Sequence, residues 1–292
     1  MDEIQNFITE LKLEGRMSDN TIRSYQTDLK KMFSYMEANG YADMTSVSEK
    51  ALGEYVDRIK EKELSPSTIA RNIVSIKAFF KSIYKKEMIP YDISENIKAP
   101  KVTLPEIAIL TRTQIEELLS LPDTKSPKGQ RDSAMLELMY ATGIKVSEVI
   151  GLKVSDLDMQ IGNATCRGTK TDRTIPFDKR AKDSLFRYLQ DGRRHLIKSN
   201  LEELLFVNYQ GESMSRQGVW KMVKEYAKRA GIQSKITPEI LRHSFAAHLI
   251  ERGADLDAVQ QMMGHVSSLS TGRYAKENKD YIRNVYNQTH SV

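Results

Sequence analysis

The chain has 292 residues, 40% apolar and 28% charged, enough for two domains of ordinary size, each burying its own core. No apolar run approaches the ~20 residues of a membrane span, and Met1-Asp2-Glu3 opens without the basic start and apolar stretch of a secretory signal. A single cysteine, Cys166, excludes an intramolecular disulfide and a cysteine-based zinc site, so the expected compartment is the cytoplasm.

The first hundred residues read as four short helices. Ile4, Phe7, Ile8 and Leu11 form one helical face, and Ser18 precedes a second run over Thr21–Met36 that ends at Gly40. Ser48 caps a third helix through Leu52, Val56 and Ile59. Ser65-Pro66 starts a fourth, carrying Ile69, Ile73, Ile76, Phe79, Phe80 and Ile83. The prolines at 90, 100 and 105 break helical continuity, so Pro90–Pro105 reads as connecting chain. The boundaries are a helical domain over 1–100, a linker over 101–106 and a second domain over 107–292.

In the second domain Thr111 precedes a helix through Ile115, Leu118 and Leu119. Arg131–Tyr140 and Lys145–Leu152 are helical in pattern around Ala141-Thr142-Gly143, and Asp156-Leu157-Asp158 closes that unit. Asn163–Arg167 and Thr174–Phe177 are strand candidates around a turn at Gly168-Thr169-Lys170, a small hairpin. Helical patterns follow over Ala181–Leu189, Ser215–Ala230, Pro238–Arg252, Leu256–Met263 and Ser270–Tyr274, with a tail helix over 279–292. The predicted class is mainly α: a four-helix N-terminal domain and a mostly helical second domain with a small β-hairpin.

Charge is unevenly placed. The first hundred residues hold 15 Lys and Arg against 16 Asp and Glu; the remainder holds 29 against 23. A basic second half suits a polyanionic partner, though many proteins of similar pI have none. Within it, Ser213–Arg229 offers Arg216, Lys221, Lys224 and Lys228 as a helix that could face such a polyanion; a solvated charged face is the plainer reading.

Three stretches carry a more specific signal. Tyr140-Ala141-Thr142-Gly143-Ile144-Lys145-Val146-Ser147-Glu148 is the first, and Leu241-Arg242-His243-Ser244-Phe245-Ala246-Ala247-His248-Leu249 the second. The third runs from Gly253-Ala254-Asp255-Leu256 through Gly264-His265 to Ser270-Thr271-Gly272-Arg273-Tyr274. Together they resemble the motifs of the tyrosine recombinases, or phage-type integrases, over essentially the whole chain, with the N-terminal module similar to that family's core-binding (SAM-like) domain. The bacterial Xer branch is the nearest in pattern. A match in several ordered parts is more specific than any short pattern alone.

The resemblance implies a DNA strand-transfer enzyme with no cofactor. Tyr274 would be the nucleophile that forms a 3′-phosphotyrosyl link, Arg242 would clamp the scissile phosphate, and His265 would donate a hydrogen bond to it. Such chemistry needs a nucleophile and cationic donors for the non-bridging oxygens, which Arg supplies as a planar fork. The implied partners are double-stranded DNA and further recombinase protomers, as a tetramer. His248, inside an apolar helix, reads as a packing histidine; His243 reads as structural or supporting.

Three positions depart from the family pattern. Lys145 stands where the first arginine belongs, keeping the charge but losing the two-pronged grip. Glu239 stands where a histidine belongs, three residues before Arg242. At the hairpin Thr169 follows Gly168 where a lysine is usual, and Lys170 comes next in a turn one residue short. These changes leave a second reading open: an impaired paralogue acting as an accessory DNA-binding factor. A type IB topoisomerase and an unrelated helical regulator fit the ordered motifs less well.

Overall fold

The computed structural model describes residues 2–41, 43–102, 108–167, 172–199, 202–232, 236–254 and 256–264. The chain divides into two compact units, Met1–Pro105 and Glu106–Val292. Tyr274, His265, Gly168, Thr169, Lys170 and the tail over 279–292 lie outside the described residues.

Among the described residues the first unit holds four α-helices, α1 (Asp2–Glu14), α2 (Asp19–Ala38), α3 (Glu49–Glu61) and α4 (Pro66–Lys85), with a 3₁₀ turn at Met44–Ser46. Ser18, Ser48 and Ser65 each accept a backbone N–H from the first turn of the helix that follows, which satisfies one of the orphan donors there. Pro66 occupies the first turn of α4, where its missing N–H costs nothing. The apolar faces converge on Phe79, whose ring meets Phe7 and Phe33 edge-on at centroid distances of 5.6 and 5.4 Å.

One buried charge joins α2 to α4. Asp28 is fully buried and accepts a two-pronged pair from Arg71 at 2.9 and 3.0 Å and a third bond from the Asn72 amide at 3.0 Å. A carboxylate placed there without those donors would be strongly disfavoured.

The reading of Pro90–Pro105 as connecting chain needs correction over its first part. Ile89 and Ile93 are buried in the first unit's core and Ile97 packs against it. The Lys77 ammonium donates to the carbonyls of Glu95 and Ile97 at 3.0 and 3.2 Å, pinning this non-helical stretch to α4. Prolines stop a helix without stopping the chain from packing.

The second unit is built around α6 (Pro127–Thr142), which packs against α5 (Arg112–Ser120), α8 (Lys179–Arg187) and α11 (Pro238–Glu251). Every residue of α6 from Gly129 to Met139 is buried, although Gln130, Arg131, Asp132, Ser133 and Glu137 among them are polar. Its charged residues are satisfied internally. Asp132 accepts from Arg131 at 2.9 and 2.6 Å, from Lys128 at 2.9 Å and from the Tyr226 hydroxyl at 3.0 Å.

Three antiparallel strands in the order β1 (Leu157–Asp158), β2 (Asn163–Cys166) and β3 (Arg173–Pro176) form the small sheet, with Ala164 opposite both Leu157 and Ile175. The predicted hairpin is β2 and β3. The stretch Asp156-Leu157-Asp158, expected only to close a helical unit, supplies the end of a 3₁₀ turn and the extra strand. Two residues are too few to show an alternating pattern.

The helix expected over Lys145–Leu152 is shorter: α7 covers Val146–Val149. Beyond it Lys153 and Leu204 form an isolated bridge, and Leu205 donates its N–H to the Leu152 carbonyl at 2.7 Å, so the chain is drawn out to pair. After α8 one π turn at Tyr188–Gly192 leads into α9 (Arg193–Leu196). The helices α10 (Arg216–Arg229), α11 and α12 (Leu256–Met263) follow. No described helix is long and apolar enough to cross a membrane.

The Asp28 cluster yields a stability prediction. Asp28→Ala strands the buried Asn72 amide and should cost about 1–3 kcal/mol in urea unfolding. Arg71→Ala should cost more, about 3–5 kcal/mol, because it leaves the fully buried Asp28 carboxylate without its cation, whereas the Arg71 side chain left by Asp28→Ala is 44% exposed and rehydrates.

Candidate active site

The residues expected to act on a phosphate are spread along the second unit's sequence, and backbone geometry explains how two of them, Lys145 and Arg242, meet. Gly143 ends α6 in the left-handed conformation (φ +58), closing the helix with an N–H donated to the Met139 carbonyl at 3.0 Å. The chain then extends through Lys145, the N-cap of α7. Instead of its own side chain, the Glu148 carboxylate caps it, accepting the Lys145 N–H at 2.9 Å.

Arg242 lies on α11 and is 7% exposed. Its guanidinium donates one prong to the Gly143 carbonyl and the other to the Met263 carbonyl. The Lys145 ammonium donates to the Gly264 carbonyl at 3.4 Å. Side chains 97 residues apart in sequence thus converge on two consecutive carbonyls at the end of α12, immediately before His265.

The electrostatics agree with this proximity. Burial pulls the Lys145 ammonium below the usual lysine range; Glu148 works against that fall, while the positive charges of Arg242 and Arg173 add to it. Burial alone would push the Glu148 carboxyl up. The bonds from Arg173 and from the Lys145 N–H, with the Arg173 and Lys145 charges, hold it below the usual carboxylate range.

Glu239 is exposed in the first turn of α11 and has no ion-pair partner among the described residues. It lines a groove of about 520 Å³ together with Val146, Arg216, Gln217, Trp220, Lys221 and Pro238. Two of the four cations expected on a DNA-facing helix, Arg216 and Lys221, share that groove. Lys224 sits with its ammonium 4.9 Å from the Trp220 ring centre, a cation–π contact on the same exposed face of α10. Lys228 is exposed in the last turn of α10, outside the groove.

His248 is buried, with Nδ1 2.9 Å from the Tyr140 hydroxyl, and burial lowers its pKa. That is the environment of a packing histidine. His243 is half-buried on α11. Among the described residues no group of His, Cys, Asp and Glu side chains is placed to hold a metal ion.

Two residues of this region were not singled out from the sequence. Trp220 is the only tryptophan and lies 40% exposed in the groove. Arg173 heads β3, and its two-residue alternation with buried Ile175 puts a charge on the inward face of a strand. An inward arginine needs buried hydrogen-bond acceptors, carboxylate or carbonyl, and that was the available signal.

Residues 108–280 match the model of the phage integrase family, and residues 4–87 match that of the phage integrase N-terminal SAM-like domain. Tyrosine recombinase XerD of Halalkalibacterium halodurans is 37% identical over 291 residues, 99% of this chain and 97% of that protein. Tyrosine recombinase XerC of Herpetosiphon aurantiacus is 37% identical over 280 residues, 95% of this chain and 91% of that protein. Among solved structures, XerH site-specific recombinase bound to a palindromic difH substrate superposes with a TM-score of 0.76 at 21% identity, covering 91% of this chain and 79% of that one. A lambda integrase dimer bound to a core site gives 0.70 at 17% identity, covering 94% of each chain. At these identities the structural likeness is one of fold.

The Arg242 grip is testable through Gly143. A methyl at this position would overlap the Phe245 ring, and the left-handed backbone disfavours any side chain. Gly143→Ala should lower thermal stability by roughly 2–5 kcal/mol, combining ~1–2 from the backbone and ~1–3 from overpacking. It should also shift the carbonyl that Arg242 grips.

Proposed function

This chain belongs to the phage integrase family, the tyrosine recombinases, and we propose that it binds duplex DNA and cuts and rejoins its strands through Tyr274. The Tyr274 oxygen attacks the scissile phosphorus, the bond to the 5′-oxygen breaks, and that oxygen leaves as a hydroxyl after gaining a proton. Religation is the reverse, so no net bond energy is lost. The observation that supports this reading is the convergence of Arg242 and Lys145 on the carbonyls of Met263 and Gly264. Two cations held at one point suit a phosphate whose non-bridging oxygens gain charge in the transition state.

Lys170 and His265 would complete the cationic surroundings. Lys145 contributes charge without the two-pronged grip of an arginine. Glu239 would oppose a bound phosphate; a like charge at ~4 Å costs on the order of 1–4 kcal/mol at effective dielectrics of 80 to 20. Its place in the groove with Arg216 and Lys221 supports an offset of that repulsion by exposed cations. Arg216, Lys221, Lys224 and Lys228 then serve phosphate contacts along the duplex. Two or more protomers act on one DNA, and the protein works in the cytoplasm.

Lys145 and Glu239 also favour a second reading, an accessory protein that binds DNA with little turnover. Losing one preorganised charge-stabilising donor typically costs ~10²–10³ in rate. The two readings separate on a nicked duplex whose sequence is first selected by binding from a random library. Wild type should form a covalent protein–DNA adduct and Tyr274→Phe none, with equal DNA affinity. No adduct from either protein, with binding retained, supports the accessory role.

If Glu239 and Lys145 restrain cleavage, Glu239→His with Lys145→Arg should raise adduct formation at least about tenfold. An unchanged yield would remove that explanation. DNA affinity should also fall steeply with salt, the logarithmic slope losing roughly one unit for each phosphate-contacting cation replaced.

A further inference from the structure

Arg173 makes contacts that its neighbours on the sheet do not explain. Its Nη1 and Nη2 donate to the two oxygens of Glu148 at 2.6 and 2.7 Å, and its Nε donates to the Met262 carbonyl at 2.9 Å. The pair is largely buried, with the two side chains 16% and 12% exposed. A surface ion pair of ordinary kind is exposed and worth little. This one is a parallel, two-pronged bond with every guanidinium nitrogen engaged.

The partners are the informative part. Glu148 also caps the Lys145 N–H, and Met262 precedes the two carbonyls that Arg242 and Lys145 grip. Gly264 stands against the same guanidinium: a Cβ there would lie 2.8 Å from Nη1 and 2.9 Å from Cζ. Its φ of +61 likewise suits glycine. One side chain on β3 therefore binds both the turn that carries Lys145 and the end of α12.

The geometry points to Arg173 as a positioning residue of the recombinase site, fixing Lys145 and the Met262–Gly264 segment against each other without touching the phosphate. The inference rests on the reading of the site above. Its physical basis is that a phosphate-binding constellation loses much of its effect when its parts shift by about 1 Å. A lysine at 173 could not reproduce the fork and the Nε bond together.

The test uses the selected nicked duplex at saturating protein and four variants: Arg173→Lys, Arg173→Gln, Glu148→Gln and the apolar pair Arg173→Met with Glu148→Met. Apolar replacement of a buried ion pair often preserves stability, so the apolar pair separates positioning from structural support. The expected result is a single-turnover cleavage rate down about 100-fold in Arg173→Lys, Arg173→Gln and the apolar pair. Glu148→Gln should be intermediate, and DNA affinity should stay within about twofold throughout. Wild-type cleavage in Arg173→Lys, or rates that fall only in step with DNA affinity and thermal midpoint, would overturn the inference.

Hydrogen exchange at the Lys145 amide is a second readout that needs no catalysis. It should quicken at least about tenfold in Arg173→Gln, and unchanged protection there would also overturn the inference. A wild type that forms no adduct defeats the catalytic reading instead, and exchange still decides the role of Arg173.

Discussion

The second unit depends on a buried arginine that ties together the ends of two helices. Arg242 takes the carbonyl at the end of α6 with one prong and the carbonyl at the end of α12 with the other. Both are helix C-terminal groups, which have no partner within their own helices and carry the negative end of the helix dipole. The guanidinium answers both needs. Carbonyl partners orient the cation and leave its net charge intact.

A second arrangement lies beside the first: Arg173 and Glu148 form a two-pronged, largely buried pair in which the two charges neutralise each other. Lys145 stands between them: its amide belongs to the neutralised pair through Glu148, and its ammonium belongs to the carbonyl-bound group through Gly264. Burial and two neighbouring arginines make the Lys145 ammonium easier to deprotonate than a surface lysine, and Glu148 limits that tendency. A larger, permanently charged arginine would be less sensitive to this balance.

How much of this was legible in the sequence varies with the kind of signal. The serines Ser18, Ser48 and Ser65 and the threonine Thr111 are local capping chemistry, and each marked a helix start that the structure repeats. The long helices followed from their apolar spacing. The two-residue strand β1 and the short α7 did not, because pairing with distant segments decided them. At the site, Arg242 and Lys145 were visible through the ordered motifs that carry them. Arg173 was not, since its meaning depends on Glu148 and Met262 lying beside it, 25 and 89 residues away. The N-terminal Asp28 cluster was hidden for the same reason: three residues on two helices look like ordinary surface polarity until α2 and α4 are brought together.

The Lys77 bonds to Glu95 and Ile97 have a consequence for the chain as a whole. They carry the anchored part of the first unit to Ile97, well past the last turn of α4. Backbone held by side-chain bonds and buried isoleucines is a poor protease substrate, so Lys77 guards a stretch whose lack of helix would otherwise invite nicking.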